Sequence, residues 1–389
     1  MTIFYFVPAF LPKETGFSIA FKNFCLSILD NERIEQLYVI SPEDNPPLIH
    51  SKIRYIYFDK YIWCERLVKY LGPHIGSIII NLYLRFWIKQ LNVDEKNSLF
   101  FVESVLLSYL SFFLHKKYKY TPTVTRIHGA LPEVAIWTGE KLRRDLMKLL
   151  LKTKNISVTT YHYIDYLKTY FSLKQDNEIK FFIIPNSLPK VKVNNSTKRN
   201  NKLKLMQLGR MDKQGYFQKG FQDTLQAFYY LETIYSPRDL ADIECTFIGN
   251  GDLSNEFKKH LSKLKYIKTK LLTSISNDKV QLELDRSDVI LMPSRYEGMS
   301  MFATEALAKG KAFIFTSDGG MRDMIFNNYN GISIRPFDYL ELAKAILDLK
   351  NSSSKIDLFS SNSIKLFNQE FSHEKTNEKF DVLLKTLHD

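Results

Sequence analysis

The sequence predicts an α/β protein made of two parallel-sheet domains that face a central cleft. Short apolar runs alternate with stretches of helical apolar spacing, and this alternation begins again at Leu203. Strands that alternate with helices favour a parallel sheet covered by helices on both faces. A length of 389 residues suits two separate cores.

The first domain is predicted over residues 1–188, with a helix from Ser18 to Leu29. Its apolar runs predict strands at Ile3 to Val7, Leu37 to Ile40, Ile53 to Phe58, Ser98 to Val102, Val124 to Ile127, Ile156 to Thr160 and Phe181 to Ile184. Residues 189–202 are polar and charged, without sustained apolar periodicity, and are predicted to be the linker.

The second domain is predicted over residues 203–365. Its predicted strands are Leu203 to Leu208, Cys245 to Ile248, Val289 to Met292 and Ala312 to Thr316. Its predicted helices are Gly220 to Leu231, Asn255 to Leu264, Ala303 to Lys309 and Leu340 to Leu349. Residues 366–389 are predicted to form a terminal helix that packs back on the first domain.

Composition indicates a globular protein of the cytoplasm. The cysteines Cys25, Cys64 and Cys245 match no metal or redox spacing, which favours buried, reduced thiols. The N-terminal segment lacks the basic region of a signal peptide and is interpreted as a first strand. The most apolar windows are shorter than a membrane-spanning helix and contain charges, so no transmembrane helix is expected.

The net charge of +12 is concentrated in the later part of the first domain. Residues 51–190 carry 22 Lys and Arg against 11 Asp and Glu. A basic surface of this kind suits a polyphosphate, a nucleic acid or an anionic membrane, and composition does not choose among them.

Two basic side chains follow the first strand of the second domain. Gly209-Arg210 comes directly after Leu203 to Leu208, and Lys219-Gly220 comes ten residues later, where a helix is predicted to begin. A glycine turn permits close backbone approach, while Arg and Lys neutralise a diphosphate from two sides. Such pairs also occur as ordinary turn residues.

Glu297 and Glu305 are separated by seven residues that follow the strand at Val289 to Met292. A helix is expected to begin near Ser300, so its free N–H groups would point at an anion. A carboxylate accepts hydrogen bonds from two neighbouring hydroxyls, so one Glu could hold a sugar and the other a ribose. A capped amphipathic helix with two solvated acids would give the same spacing.

The glutamate pair and its flanks resemble the donor-site motif of family 4 retaining glycosyltransferases with the GT-B fold, of the type that builds bacterial cell-surface polysaccharides. The resemblance covers residues 185–349 well and the N-terminal half weakly. The matching marks, in chain order, are Pro185-Asn186, Gly209-Arg210, Lys219-Gly220, Ile248 to Gly251, Val289 to Ser294, Glu297 with Glu305, Ala306 to Gly310, Ser317 to Gly320 and Asn330-Gly331.

The resemblance implies two Rossmann-like domains and a role for each matching residue. It implies that Arg210 and Lys219 bind the donor diphosphate. It also implies that Glu297 contacts the donor hexose and acts in catalysis, while Glu305 contacts the ribose. Further donor-binding positions implied by it are Gly249, Gly298, Ser300, Met301 and Phe302.

In the first domain the resemblance is weaker. Gly16 matches the family's loop glycine near the diphosphate, and His128 matches its histidine beside the reacting sugar, which makes His128 a catalytic candidate. A histidine after a strand is also often a hydrogen-bonded structural residue. The family usually has further glycines beside Gly16, has Gly where Ser187 stands, and ends its base-binding strand in Gly where Thr273 stands.

The resemblance implies hexose or N-acetylhexosamine transfer from a nucleotide-diphosphate sugar, most simply a UDP-sugar, to a saccharide or a lipid-linked saccharide. The products would belong to lipopolysaccharide, O-antigen or capsule. No paired aspartates lie in a position suited to a divalent cation, so we expect no metal ion and no cofactor. Charge on the departing diphosphate would be offset by Arg210, Lys219 and helix N–H groups.

Aromatic residues interleaved with basic ones in the first domain resemble a surface that lies on an anionic bilayer, although the same aromatics could be core residues. They suggest peripheral attachment to the inner face of the cell membrane. The set comprises Trp63, Tyr83, Phe86, Trp87 and Tyr118 with Lys60, Arg66, Lys69, Arg85, Lys89, Lys116, Lys117 and Lys119.

Other functions fit the sequence less well. A sugar-nucleotide epimerase could share the two-domain fold but would need acid and base residues on both faces of the sugar. A glycan phosphorylase would usually need a cofactor lysine and a much longer chain. A nucleic-acid-binding protein is suggested only by the pI of about 9.2, and no recognisable nucleic-acid motif supports it. Nucleic acid is therefore not an expected partner.

Overall fold

The computed structural model describes residues 1–7, 16–41, 48–57, 79, 82, 88, 91, 93–103, 107–128, 140–173, 178–191 and 202–388. The chain divides into two compact units. The first unit comprises Met1–Pro189 and the C-terminal His373–Asp389, and the second comprises Lys190–Ser372.

The first unit is built on a seven-stranded parallel sheet with the order β3-β2-β1-β4-β5-β6-β7. Its strands are β1 (Thr2–Phe6), β2 (Gln36–Ser41), β3 (Ile53–Tyr57), β4 (Ser98–Glu103), β5 (Thr123–Ile127), β6 (Asn155–Val158) and β7 (Lys180–Ile183). Its described helices are α1 (Gly16–Leu29), α2 (Ser108–Lys117), α3 (Glu140–Leu151), α4 (Tyr161–Tyr170) and, from the C-terminus, α13 (His373–His388).

One face of this sheet is covered by the first and last helices. Phe24 of α1 and Phe380 of α13 pack on each other and on Phe101 of β4, with ring centroids 5.5 to 5.8 Å apart. The side chains of β1 and β4 alternate between this face and the opposite face of the sheet, and they are buried on both. A parallel strand that lies between two helical layers is apolar on both faces. Fixing α13 on α1 ties the C-terminus of the chain to its beginning.

The second unit contains a six-stranded parallel sheet with the order β10-β9-β8-β11-β12-β13. Its strands are β8 (Leu203–Leu208), β9 (Ile243–Ile248), β10 (Lys268–Leu272), β11 (Val289–Met292), β12 (Ala312–Thr316) and β13 (Gly331–Ile334). Its helices are α5 (Lys213–Lys219), α6 (Phe221–Ile234), α7 (Pro237–Leu240), α8 (Ser254–Leu261), α9 (Asn277–Arg286), α10 (Met301–Ala308), α11 (Tyr339–Lys350) and α12 (Ser353–Leu366), with a 3₁₀ helix at Gly319–Asp323 and a π turn at Phe367–Phe371.

The α/β class and the parallel sheets predicted from the sequence are confirmed. The helix predicted to begin at Gly220 is observed as α6, but the short helix that precedes it was not predicted. The structure has two helices, α5 and α6, with Gly220 between them at φ +68°. Asp212 caps α5 by accepting a hydrogen bond from the Gly215 N–H at 2.9 Å, which explains why a helix begins there.

Candidate functional site

The carboxyl edge of the second sheet gathers the loops that follow β8, β11 and β12, because parallel strands end at the same edge. Gly209 follows β8 and lies against the side chain of Lys219, the last residue of α5. A Cβ atom at Gly209 would lie 2.5 Å from Cγ of Lys219. The glycine therefore lets the lysine stem cross the end of the strand.

Lys219 reaches the loop after β11 and forms an ion pair with Oε1 of Glu297. The same carboxylate oxygen accepts a hydrogen bond from the Ser294 hydroxyl at 3.0 Å. The Lys219 side chain is 20% exposed and that of Glu297 is 8% exposed. A carboxylate and an ammonium group are therefore held together in a largely buried position beside the sheet edge.

The loop after β12 supports the backbone of Glu297. The N–H of Gly320 donates to the Glu297 carbonyl at 2.9 Å. Gly319 has φ +57°, and a Cβ atom there would lie 2.2 Å from the same carbonyl oxygen. The Ser317 to Gly320 stretch thus fixes where Glu297 can lie, and only glycine fits at position 319 without displacing it.

A second ion pair anchors the same loop, and the sequence analysis missed it. Arg295 forms a two-pronged pair with Asp223 of α6, with Nη2 donating to Oδ1 at 2.7 Å. Both side chains are buried, and the Arg295 guanidinium lies 3.9 Å from the ring centre of Phe337. Arg295 precedes Glu297 by two residues, so this contact holds the glutamate loop against α6.

Helix α10 begins at the end of the glutamate loop. Ser300 is its N-cap, and the Ser300 hydroxyl accepts a hydrogen bond from the Ala303 N–H at 3.3 Å. The amides of Met301 and Phe302 in the first turn have no partner within the helix by its geometry. Together with Gly298 just before the cap, they form the kind of helix N-terminus that binds anions.

Glu305 lies further along α10 and faces another helix. The Nε2 of Gln281 in α9 donates to Oε2 of Glu305 at 2.8 Å. Burial raises the pKa of Glu305 above its usual value, while the Gln281 hydrogen bond and Lys309 act in the opposite direction. The Gln281 contact therefore uses one of the two carboxylate oxygens.

Arg210 lies at the same sheet edge but is largely exposed. Its Nη1 is 3.6 Å from Oδ2 of Asp212, and its side chain is 56% exposed. Gly249 follows β9 next to it, and a Cβ atom there would lie 2.1 Å from the Gly209 carbonyl. The two glycine turns therefore touch each other, and Arg210 is able to swing toward a bound anion.

The remaining two predicted site residues belong to the first unit. Gly16 is the first residue of α1, which begins at the carboxyl edge of the sheet because it follows β1. His128 follows β5, and its Nδ1 lies 3.5 Å from Oε1 of Glu103 at the end of β4. Burial and the nearby Arg126 lower the pKa of His128 to about 3, so the imidazole is neutral near pH 7.

The structure groups Arg210, Lys219, Glu297 and the start of α10 at one sheet edge within the second unit. Gly16 and His128 lie at the corresponding edge of the first unit. Glu103, which faces His128, and its partners Tyr5 and Arg126 were not predicted from the sequence. In the sequence, Glu103 is only an acidic residue at the end of an apolar run. Its proximity to His128 can be inferred only when β4 and β5 are known to be neighbours in the sheet.

The proposed membrane surface loses one of its members. Tyr118 is buried and packs on Phe100, with ring centroids 5.0 Å apart, so it belongs to the core of the first unit. Lys116, Lys117 and Lys119 nearby are exposed. Nine other members of the set lie outside the described residues: Trp63, Tyr83, Phe86, Trp87, Lys60, Arg66, Lys69, Arg85 and Lys89.

The described residues contain neither a metal-binding cluster nor a membrane-spanning helix. Across those ranges, no cluster of three or more His, Cys, Asp or Glu side chains has the arrangement of a metal site. In the same part of the chain, no helix has the length and apolarity needed to cross a bilayer. Cys25 and Cys245 are buried free thiols, as predicted, and Cys64 lies outside the described residues.

Residues 190–366, which include every one of the second-unit site residues above, match the sequence model of the family described as Glycosyl transferases group 1. The match covers less than half of the chain, and it shows a similarity of this segment to that family. The match covers the sheet edge with Lys219 and Glu297, the helix start at Ser300 and the glycine turn at Gly319.

Curated relatives align mainly with part of the chain. The uncharacterized glycosyltransferase MJ1178 of Methanocaldococcus jannaschii is 30% identical over 138 residues, which are 35% of this chain and 39% of that protein. The glycogen synthase of Mycobacterium tuberculosis H37Rv is 25% identical over 149 residues, 38% of this chain and 34% of the synthase. The chain thus spans less than two fifths of the length of these relatives.

The similarity in fold extends over the whole chain. A solved structure described as trehalose-6-phosphate from E. coli bound with UDP-2-fluoro glucose matches with a TM-score of 0.73 and 13% sequence identity. The match covers 100% of this chain and 99% of the other. The chain therefore has the GT-B fold, with two Rossmann-like parallel-sheet domains.

Proposed function

We propose that the protein is a retaining glycosyltransferase that moves a hexose or an N-acetylhexosamine from a nucleotide-diphosphate sugar to a saccharide or lipid-linked saccharide. The observation that carries the proposal is the largely buried Lys219–Glu297 pair beside the N-terminus of α10. It places a cation, a carboxylate and free backbone amides at one sheet edge, and these are the groups that a sugar diphosphate requires.

The diphosphate would lie between the basic side chains and the start of α10. Lys219 is held in place by Glu297 and by the contact of its stem with Gly209, so it is preorganised. Arg210 is exposed and mobile enough to approach from the other side. The amides of Met301 and Phe302 complete the site, and these positive groups stabilise the leaving diphosphate without requiring a metal ion.

The two glutamates would divide the sugars of the donor between them. Glu297 is fixed by Ser294 and Gly320, so its second oxygen is available to hexose hydroxyls. Glu305 lies at the opposite end of the first turns of α10, where its free oxygen could accept from the ribose. Because the E. coli structure of the same fold is bound with UDP-2-fluoro glucose, UDP is the nucleotide we propose.

In the proposed reaction the bond between the anomeric carbon and the diphosphate oxygen breaks. The acceptor hydroxyl forms the new bond from the same face, and its proton passes to the departing phosphate oxygen. Lys219 and the α10 amides offset the charge that develops on the diphosphate. We also propose a catalytic role for His128. We propose acceptors of cell-surface polysaccharide synthesis, reached at the inner face of a membrane.

The proposal is tested by thermal unfolding of the full chain with a panel of UDP-, GDP-, ADP- and dTDP-sugars, since a ligand that binds the native state raises the apparent stability. We expect one sugar nucleotide to raise the unfolding temperature more than its free nucleoside diphosphate does. Absence of a shift with every member of the panel would overturn the proposed donor site.

Retention and metal independence have their own measurement. With the donor identified, the anomeric configuration of the product is read by NMR, in the presence of EDTA. A product with the donor's configuration, formed at an unchanged rate in EDTA, supports both statements. Inversion of configuration contradicts the first, and loss of turnover that is restored by Mg²⁺ or Mn²⁺ contradicts the second.

A further inference from the structure

A buried group of polar side chains lies behind His128 in the first unit. Tyr5 of β1, Glu103 of β4 and Arg126 of β5 come from three strands that are neighbours in the sheet. Each is at most 1% exposed. Burying a polar group is costly unless it is hydrogen-bonded, and burying a charge is costly unless it is paired. Three polar side chains buried on adjacent strands, two of them from charged residue types, therefore need an explanation beyond packing.

Arg126 fixes the charge of this group. Its guanidinium cannot lose its proton at any ordinary pH. It lies 4.1 Å from the ring centre of Phe24, and its Nη2 donates to the Ile184 carbonyl at 3.4 Å. Its Nε is 3.9 Å from Oε2 of Glu103. A buried guanidinium needs an anion beside it, and Glu103 supplies that anion.

Tyr5 supports the same charge state. The Tyr5 hydroxyl donates to Oε2 of Glu103, the oxygen that also faces Arg126. Burial raises the pKa of Glu103, whereas Arg126 and the Tyr5 hydrogen bond lower it. Burial is the larger effect, so the pKa of Glu103 is raised overall. Because the permanently charged Arg126 guanidinium lies beside it, we take Glu103 to be ionised near pH 7.

The other oxygen of Glu103 is turned toward His128. Oε1 lies 3.5 Å from Nδ1 of His128, at the outer limit of a hydrogen bond. Among the described residues, this oxygen has no hydrogen-bond partner at all. An ionised oxygen facing a neutral imidazole attracts an N–H and repels a lone pair. The Nδ1 atom must therefore carry the proton.

We propose that Glu103 is a positioning residue that holds His128 in the Nδ1–H tautomer, in which Nε2 is the acceptor nitrogen of the imidazole. We expect this tautomer to be the one that acts in sugar transfer. The role in transfer rests on the proposed function, whereas the tautomer does not.

Lowering of the His128 pKa to about 3 agrees with this role, because the imidazole then stays neutral and keeps one acceptor nitrogen. Among the described residues, Glu103 and Arg126 are the charged groups that act on His128 directly. Tyr5 and, from α1, Cys25 act on Glu103 and Arg126 behind it. Burial raises the pKa of Cys25, so the thiol contributes no charge.

The tautomer is measured on the full chain by ¹⁵N NMR of histidine-labelled protein, with the His128 signals assigned by their loss in His128→Asn. The expected result is a protonated Nδ1 and an unprotonated Nε2 at pH 7. His373 is an internal control, because it is expected to carry its proton on Nε2. Its Nε2 lies 3.2 Å from Oδ1 of Asn23, and Asn23 is oriented by donating Nδ2 to the Ile19 carbonyl.

Glu103→Gln tests the cause. Arg126 would attract the amide oxygen, so the amide NH₂ would face His128 and move its proton to Nε2. We expect this tautomer change together with a kcat about 10- to 100-fold lower. Tyr5→Phe keeps the Glu103 charge and should keep the Nδ1–H tautomer.

A wild-type His128 with its proton on Nε2 overturns the proposal, and so does an unchanged tautomer in folded Glu103→Gln. The wild-type spectrum decides the question even if that variant does not fold. If the wild type shows the expected tautomer but transfers no sugar, Glu103 remains the residue that orients His128. That result would refute only the proposed function.

Discussion

Lys219 and Glu297 are 78 positions apart in the chain and form one ion pair at the carboxyl edge of the second sheet. They meet because β8 and β11 are neighbours, so the helix after one strand lies beside the loop after the other. The pair has two functions that mutation can separate. It stabilises a largely buried loop, and it places an ammonium group where a diphosphate would bind.

We predict that Lys219→Met lowers turnover by about 10²- to 10³-fold, the usual effect of removing one group that stabilises developing charge. It should also lower the free energy of unfolding, because Glu297 is left without its cation. The double variant Lys219→Met/Glu297→Gln should recover most of that stability but none of the turnover. Urea unfolding and a transfer assay measure the two effects.

The matched control for this prediction is Lys355→Met. Lys355 also pairs with a carboxylate, that of Asp348 at 2.7 Å, but between α11 and α12 and with both partners more exposed. Its loss should change stability by less than about 1 kcal/mol and leave turnover unchanged. Equal turnover in Lys219→Met and Lys355→Met would show that Lys219 has no part in the reaction.

The Asp223–Arg295 pair predicts a large loss of stability. We expect Asp223→Asn to destabilise the second unit by about 3 kcal/mol or more, because the buried Arg295 charge would lose its bidentate partner. The Glu297 loop should then move, so the Michaelis constant for the donor should rise as well. Urea unfolding and donor titration at constant acceptor concentration measure these changes.

Glu378→Gln provides the comparison for Asp223. It breaks the Lys375–Glu378 pair, whose side chains are 38% and 61% exposed, and should cost less than about 1 kcal/mol. If Asp223→Asn cost no more than Glu378→Gln, the buried pair would not be what holds the loop.

Alanine substitutions at two glycines with positive φ can distinguish a loss of backbone stability from a loss of donor binding. Gly310→Ala should lose about 1–2 kcal/mol because its backbone is left-handed, with φ +62°. Gly319→Ala should lose more, because its backbone is also left-handed, with φ +57°, and its Cβ would meet backbone rather than a flexible side chain. Only Gly319→Ala should also weaken donor binding. Its Cβ would displace the Glu297 carbonyl, whereas that of Gly310 meets the flexible side chain of Ile364 at 2.8 Å.

Donor binding by the two glycine variants is compared by calorimetry at a temperature where both are folded. Gly310 lies before β12 and Gly319 after it, at opposite edges of the sheet, so the comparison isolates position. Equal donor affinities for the two variants would show that the Gly319 contact does not set the position of Glu297.

Much of the fold was predictable because the apolar runs are bounded by glycine, proline or charged residues. The strands β8, β11 and β12 were predicted with their observed bounds, since Gly209, Pro293 and Gly310-Lys311 lie close to their ends. Helix α5 was not predicted, because a seven-residue segment that contains Gly215 has no clear periodicity. Its existence depends on the Asp212 cap.

The site was predictable as a set of residues but not as a set of contacts. Spacing identified Glu297 and Lys219 but said nothing about their pairing, which requires the order of β8 and β11 in the sheet. Arg295 with Asp223 and Glu103 with His128 were missed for the same reason. Partners of this kind lie in or after different elements of the chain, and their separations of 25 to 78 residues carry no signal in the sequence.

The final prediction concerns the pH dependence of stability through His128. The pKa of its imidazole falls from 6.5 to about 3 on folding, because burial and Arg126 disfavour the cation. The unfolded chain therefore binds a proton below pH 6.5 that the folded protein refuses until about pH 3. The folded state must then lose stability as the pH falls below 6.5.

We expect the wild type to lose about 1.6 kcal/mol more than His128→Asn between pH 6.5 and pH 5. The unfolded imidazole is half protonated at pH 6.5 and almost fully protonated at pH 5, and one full proton costs about 1.4 kcal/mol per pH unit. Urea unfolding of both proteins at the two pH values measures the difference. The raised pKa of Glu103 acts with the opposite sign, but both proteins share it, so it cancels in the comparison. Parallel pH profiles for the two proteins would mean that His128 is protonated equally in the folded and unfolded states, and the neutral imidazole beside Glu103 would have to be abandoned.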